Sequence, residues 1–346
     1  MRKKFLVTGG AGYIGSHFVL RLLQEDFDVV IFDNLETGHQ YTIDALKAFN
    51  GKGNLCDFIK GDLKNPEDIK QAFEKHNFDA VIHFAAYSLV NESIKYPQKY
   101  YDNNVVGSFN LFNAMIDANV LKIVFSSTAA VYGEPNQIPI QENAPKNPVN
   151  PYGQSKLVVE KILDEYDKFS NLKNIRLRYF NVIGANKNLI TGEWHDTETH
   201  LVPNILKSLT TTGKTFSIFG NDYPTKDGTC IRDYIDVEEL AQAHFLALKY
   251  LLKNNKTDVF NLGTGLGSSV KDIFNTCEKT TGKKIPVEIK PKREGDPSVL
   301  IADNTKAKML LGWETKTPLE NSIENAWKWE QKLSQITHPK IPQQTL

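Results

Sequence analysis

Several things are scarce in this 346-residue chain, and each scarcity removes a class of function. Its three cysteines, Cys56, Cys230 and Cys277, lie far apart with no C-x-x-C pair, which argues against a disulfide framework and against a thiolate metal site. Neither charge is in excess, since Lys plus Arg and Asp plus Glu both total 41. Without a net positive field there is no long-range attraction for nucleic acid or an anionic membrane, so no partner of either kind is expected. No apolar run is long enough to span a bilayer. The opening MRKKFLVTGG has only three apolar residues between its basic start and Thr8, too few for a signal peptide. These features predict a soluble, cytoplasmic protein. Internal repeats and low-complexity tracts are missing too.

What the chain does have is 40% hydrophobic residues, enough for a sizeable core, and a regular alternation through its first half. Short β-branched or aromatic runs (KFLVTG, DVVIFD, FIKGD, FDAVIHFAA, KIVFSS) are interleaved with helical patterns (SHFVLRLLQ, PEDIKQAFEK, GSFNLFNAMIDAN). That alternation predicts βαβ units on a parallel sheet: an α/β, Rossmann-like, doubly wound fold. After NIRLRYFNVIGAN the pattern loosens, with helical stretches at about 201–211, 237–252, 268–281 and 318–334. The expected organisation is a nucleotide-binding domain over 1–180. A smaller mixed α/β lobe over 181–346 holds the substrate, and some of its segments, such as DVFNLGTG, return to the first sheet.

The first strand runs into Gly9, Gly12 and Gly15, spaced G-x-x-G-x-x-G and followed by a helix. Glycines there permit a tight turn and let backbone and helix N-terminus approach a pyrophosphate. Alone, the spacing also fits an ordinary strand-to-helix turn. Its position on the first strand, and the second strand ending at Asp33, 18 residues past Gly15, favour a dinucleotide. A carboxylate there accepts hydrogen bonds from a ribose diol and repels a 2′-phosphate, so NAD is preferred over NADP. Asp62 and Leu63 in KGDL, and Phe84, Ala85 and Ala86 in HFAA, end the next two strands and would border the adenine and pyrophosphate.

In NPYGQSK, Asn150 and Pro151 open a helix as N-cap and first-turn residue. Tyr152 and Lys156 then share one face, one turn apart. Among thirteen tyrosines, only Tyr152 has Lys four positions on. A phenol titrates near ~10, and an adjacent ammonium would stabilise its anion. Upstream, KIVFSST puts Ser126, Ser127 and Thr128 at a strand end, where a doubly wound sheet faces its ligand. The pattern suits an acid–base site; a solvated helix face beside a polar turn is the bland alternative.

These residues resemble the extended short-chain dehydrogenase/reductases. The stretches YYDNNVVGSFNLF, FSSTAAVYG, NPYGQSK, LRYFNVIGA, IFGNDYPTKDGTCIRDYIDVEEL and KREGD are together similar to the NAD-dependent UDP-galactose 4-epimerases, over about residues 4–330. The resemblance implies that Tyr152 is the base, Lys156 its electrostatic partner and a contact to the nicotinamide ribose, and Thr128 the aligned hydroxyl. It implies that Tyr152 removes the proton of the sugar 4-hydroxyl while C4 gives hydride to bound NAD, and that the 4-keto sugar then turns over and is reduced on its other face. Further cofactor contacts implied are Tyr13, Ile14, Asn34, Asn103, Ser126 and Tyr179. The UDP-sugar would be held by Asn181, His200 and Leu201, by Phe219, and by two diphosphate-pairing arginines, Arg232 and Arg293, with Asp296. A homodimer through the helices of SFNLFNAMI and LVVEKILDEY is also implied.

Three positions depart from the pattern: Ser88 replaces a common Lys, His200 a common Asn, and Leu300 stands where some relatives carry Tyr. A side chain smaller than Tyr leaves room for an N-acetyl group, so use of UDP-N-acetylglucosamine and UDP-N-acetylgalactosamine is a second expectation. A 4,6-dehydratase would need an acid pair just after Thr128, where Ala129, Ala130 and Val131 stand. A different NAD-dependent nucleotide-sugar oxidoreductase and a non-catalytic NAD-binding regulator are the remaining alternatives. The stretch WHDTETH, with His195, Asp196, Glu198 and His200, matches no helical metal motif and reads as a polar loop near the substrate; no metal is expected.

Overall fold

The computed structural model describes residues 2–211, 213–292 and 297–337. In the first half, β1 (Lys4–Thr8), α1 (Tyr13–Gln24), β2 (Asp28–Asp33), α2 (Gln40–Ala48), β3 (Asn54–Lys60), α3 (Pro66–Lys75) and β4 (Ala80–His83) follow the alternation that the sequence predicts. Next come two short helices, α4 (Val90–Lys95) and α5 (Pro97–Tyr100), a π-helical turn over Tyr101–Val106, and α6 (Gly107–Asp117). Then β5 (Lys122–Thr128), a 3₁₀ turn over Ala129–Tyr132, α7 (Pro151–Ser170) and β6 (Lys173–Tyr179) complete this part.

The remainder holds β7 (Asn181–Ile183), α8 (Leu201–Thr210), β8 (Phe216–Phe219), β9 (Ile231–Arg232), β10 (Tyr234–Asp236), α9 (Val237–Asn254) and β11 (Asp258–Leu262). After these come β12 (Ser268–Ser269), α10 (Val270–Thr281), β13 (Val287–Lys290), β14 (Val299–Leu300), α11 (Thr305–Leu311) and α12 (Leu319–Thr337).

Among the described residues, seven parallel strands form the central sheet in the order β11-β6-β5-β4-β1-β2-β3. The alternate side chains of each inner strand feed opposite layers. Phe5, Val7, Val29 and Ile31 enter the layer with Phe18 and Leu22 of α1 and Leu240 and Leu248 of α9. Leu6 and Val30 enter the other, with Ile69 of α3, Leu111 of α6 and Val159 of α7. Burial on both faces is why these strands read as continuous apolar runs.

The chain winds outward from β1 through β2 to β3, then crosses to β4 on the other side of β1. A crevice therefore opens at the carboxyl ends of β1 and β4. Beside it, β7 pairs with β10, β8 with β13, and β9 with both β12 and β14. Helices α8, α10 and α12 pack over these pairs around Ile205, Ile273, Ile323 and Trp327. Among the described residues, no helix is long and apolar enough to cross a membrane.

Candidate active site

The glycine loop is shaped by contacts that exclude any side chain at two of its positions. Gly9 has φ +71°, and a Cβ there would lie 2.5 Å from the Ala85 nitrogen at the end of β4. A Cβ on Gly15 would lie 2.1 Å from the Gly9 carbonyl oxygen. Gly12 is the N-cap of α1, with no side-chain cap and no acidic residue in the first turn. The helix therefore presents its first N–H groups without an internal partner, an arrangement suited to an anion.

Asp33, buried at the end of β2, accepts from the Ala11 N–H (3.0 Å) and the Leu35 N–H (2.8 Å). It braces the glycine loop as well as facing the crevice, a role the sequence reading did not assign. Burial raises its carboxyl above the usual range, and the two N–H donors pull it back. Gly9, Asp33, Asn34, Asp62, Ala85 and Asn103 line an open cleft, bordered also by Leu63 and Ala86. Asn34 Nδ2 reaches Asp62 at 3.4 Å. Tyr13 donates its hydroxyl to the Gly184 carbonyl (2.7 Å), tying α1 to the segment after β7. Ile14 packs into the core, and Phe84 sits behind the loop against Phe18 and His244.

At the other end of the crevice, α7 starts as its sequence dictates. Asn150 accepts from the Gly153 N–H at 2.8 Å, with Pro151 in the first turn. Gly153 is glycine because a Cβ would lie 2.6 Å from the Ala130 carbonyl oxygen, so the helix can approach the turn that follows Thr128. Tyr152 and Lys156 are both buried, against the solvated-face alternative. Burial raises the Tyr152 phenol above its ordinary value, while a hydrogen bond from Thr128 lowers it. Thr128 Oγ1 accepts from the Ala130 N–H (3.1 Å), which leaves its own proton for the phenol oxygen.

Lys156 Nζ donates to the Ser126 carbonyl (2.9 Å) and lies 4.9 Å from the centre of the Phe125 ring. Burial pushes the amine down to about 7, with Glu160 one turn later opposing the shift. A phenolate beside it would hold its proton more firmly. Tyr179 hydrogen-bonds to Ser126. The Ser126 hydroxyl meets His244 Nε2 at 3.0 Å, and His244 Nδ1 meets the Leu240 carbonyl at 2.9 Å. A carbonyl only accepts, so His244 carries its proton on Nδ1 and Ser126 donates to Nε2. Burial holds this imidazole near 4, neutral at physiological pH.

Glu160, Arg178 and Asn104 were not among the residues singled out in the sequence. Glu160 Oε1 accepts from Ser127 (2.5 Å) and Arg178 Nε (2.9 Å), and its Oε2 from Arg178 Nη2 (2.5 Å). Arg178 Nη1 donates to the Tyr132 hydroxyl (2.8 Å) and the Glu142 carbonyl (3.0 Å). The fork holds α7 against the ends of β5 and β6. Charges inside the apolar runs LVVEKIL and IRLRYF were the available signal. Asn104, in the π-helical turn, accepts from the Tyr87 N–H and donates to the Tyr87 carbonyl and to Ser155, linking the end of β4 to α7.

Among the expected substrate contacts, Arg232 on β9 is in register with Leu300 on β14, so these two are brought together. Arg232 is buried and its Nη1 donates to the Ile231 carbonyl (2.8 Å). Leu300 packs on the cluster containing Ala129 and Phe180. Asn181 starts β7 and is exposed. Phe219 ends β8 in register with Lys290. His200 is the N-cap of α8 with Leu201 after it, and His200 Nδ1 is bonded to Glu193. Arg293 and Asp296 lie outside the described residues.

Residues 6–326 match the family model described as GDP-mannose 4,6 dehydratase. The chain is 50% identical over 338 residues to a UDP-glucose 4-epimerase of Lactobacillus helveticus, covering 97% of this chain and 98% of that one. It superposes with TM-score 0.92 and 39% identity on a UDP-glucose 4-epimerase of Stenotrophomonas maltophila, crystallised with NAD and formylated UDP-arabinopyranose (97% and 100% of the chains). The Bifidobacterium longum UDP-glucose 4-epimerase in complex with NAD⁺ and UDP gives 0.90 and 37% (95% and 98%). Identity of this extent over almost the whole chain, together with the crevice described above, leaves one assignment: the chain belongs to the NAD-dependent UDP-glucose 4-epimerase family, within the extended short-chain dehydrogenase/reductases.

Proposed function

We propose that the chain interconverts UDP-glucose and UDP-galactose at C4 of the sugar, with Tyr152 as the proton-transferring group. The observation that carries this reading is the buried Tyr152, hydrogen-bonded to Thr128 and one turn from the buried Lys156, at the carboxyl end of the sheet that ends in the glycine cleft. When bound, NAD supplies reversible hydride acceptance. Gly9, Gly12 and Gly15 would hold its pyrophosphate at the start of α1, Asp33 and Asn34 its adenine ribose, and Lys156 the nicotinamide ribose. The uncapped helix start and the open cleft lined by Gly9, Asp33 and Asn34 fit that group.

In this reading Tyr152 takes the proton of the sugar 4-hydroxyl and later returns one to the same oxygen. Thr128 orients the phenol, and Lys156 stabilises its anion electrostatically. Arg232 and Arg293 would pair the diphosphate, with Asn181 and Phe219 beside the uridine. The Ala129–Val131 turn offers no carboxylate where a dehydratase needs its acid pair, which favours epimerisation. N-acetylated sugars are a second reading, supported by a Leu300 side chain, rather than a bulkier ring, on the strand paired with Arg232.

A homodimer through α6 and α7 belongs to the same proposal, supported by the exposure of Val106, Phe109 and Phe169 on this side. A reducing, cytoplasmic setting agrees with the lack of a disulfide among the three cysteines. The test is incubation of purified protein with UDP-galactose without added cofactor, following the anomeric signals by NMR. Formation of UDP-glucose, abolished in Tyr152→Phe, is expected. No conversion by protein that demonstrably binds added NAD⁺ would overturn the proposal.

A further inference from the structure

In the segment between β7 and α8, four side chains converge on one point. Glu193, His195, Glu198 and His200 each place one carboxylate oxygen or imidazole nitrogen within 4.8 Å of the others. Their spacing, E-x-H-x-x-E-x-H, belongs to no helical metal motif, and it is the fold of the loop that gathers them. The two carboxylates are nearly sealed, with side chains 4% and 3% exposed, while His200 at 43% opens the cluster to solvent.

The two His195 separations suit a shared cation, and the direct His200–Glu193 hydrogen bond would give way to it. His195 Nδ1 lies 3.4 Å from Glu193 Oε1 and 3.4 Å from Glu198 Oε2, and His200 Nδ1 lies 3.8 Å from Glu198 Oε1 and against Glu193 Oε1. Four ligands at about 2.0–2.1 Å from a tetrahedral ion stand roughly 3.3–3.4 Å apart along each edge.

Two donors also lack another use. Glu198 Oε1 accepts from the Thr199 and His200 N–H groups, both at 2.9 Å, but its buried Oε2 makes no hydrogen bond, and neither does His195 Nδ1. The side-chain cation beside them, Lys207, stands 3.9 Å from Glu198 Oε2 and donates to the His195 carbonyl at 3.3 Å. A buried carboxylate oxygen and a buried imidazole nitrogen facing each other without a hydrogen bond are costly unless something lies between them.

We propose that Glu193, His195, Glu198 and His200 form a binding site for one structural divalent cation, with zinc the best match to a donor set of two imidazoles and two carboxylates. The ion would clamp the loop that joins three parts of the molecule. Trp194 stacks on His39 with ring centres 3.8 Å apart, His39 Nε2 lies 3.2 Å from the Trp194 carbonyl, and Trp329 of α12 donates to the Glu193 carbonyl at 2.8 Å. No step of sugar chemistry involves the ion.

The test uses the full chain, treated with a chelator and dialysed, then titrated with Zn²⁺ by calorimetry and with Co²⁺ by visible absorption. One equivalent of zinc should bind, Tm should rise with free zinc and not with Mg²⁺, and cobalt should give the intense d–d bands of a tetrahedral site. Glu198→Gln and His195→Asn should each weaken zinc at least about tenfold. Absence of stoichiometric binding to the unmodified chain would overturn the proposal without recourse to any variant, as would unchanged affinity in the folded double variant.

Discussion

Glu160 and Arg178 form a fork that is 2% and 3% exposed at the side chains, and Glu160→Gln removes its charge with little change of shape. Arg178 keeps the Tyr132 hydroxyl and the Glu142 carbonyl as acceptors, but neither neutralises it. Breaking a buried pair by removing one partner costs about 3–5 kcal/mol, because the remaining charge is left uncompensated in a poorly solvated interior. Against a total stability of roughly 5–15 kcal/mol this is a large fraction. At about 2–4 °C per kcal/mol, Tm should fall by on the order of 6–20 °C. Scanning calorimetry or urea unfolding with NAD at fixed concentration reads this directly. The double variant Glu160→Met/Arg178→Leu strands no charge and should lose clearly less than Glu160→Gln alone. A loss below about 1 kcal/mol for Glu160→Gln, or a double variant worse than the single one, would refute the reasoning.

Gly15→Ala puts a methyl 2.1 Å from the Gly9 carbonyl, so the loop must open, and purified variant protein should carry little NAD by absorbance and mass spectrometry while remaining folded. Lys156, held at about 7 against an ordinary 10.5, binds fewer protons folded than unfolded between those values. Its contribution therefore makes stability rise with pH across that window, and Lys156→Met should remove that rise when urea midpoints are compared between about pH 7 and 10. Other buried groups titrate in the same window, so the difference between the two proteins is the quantity to read. Leu300→Tyr, in register with Arg232, should reduce turnover of UDP-N-acetylgalactosamine relative to UDP-galactose; an unchanged NMR rate ratio would place the N-acetyl group elsewhere.

The parts of the fold legible in the sequence are those set by local chemistry. Asn150 and Pro151 fix the start of α7, and the buried runs around Val7 and Ile31 fix the inner strands. β3 is less legible: FIKGD marks only its end, whereas the strand begins at Asn54, because it lies at the sheet edge with several exposed, polar positions. The π-helical turn at Tyr101–Val106 has no propensity signature of its own; its Asn104 is held by Tyr87 and Ser155, which are remote in sequence. The same holds for the end of the crevice at α7. Tyr152 and Lys156 are one helical turn apart and stand out by spacing, whereas the Tyr179–Ser126–His244 chain joins three elements and exists only once they are assembled. Glu193 to His200 looked like polar loop residues because loop residues have no periodicity from which convergence can be read.

The place of β11 in the sheet bears on how the chain is made. Its residues 258–262 pair with β6, completed about eighty residues earlier in synthesis, so the first six strands emerge from the ribosome with β6 as an open edge. Ile175 and Leu177 on that edge have no exposure in the finished molecule, and a nascent or truncated chain ending near residue 180 would present both them and an unpaired row of backbone groups. α9, which covers the glycine-loop layer opposite α1, arrives just ahead of β11. The first six strands are thus made first but leave the sheet unsealed until β11 arrives, and halting translation near residue 180 should give an aggregating product rather than a soluble fragment.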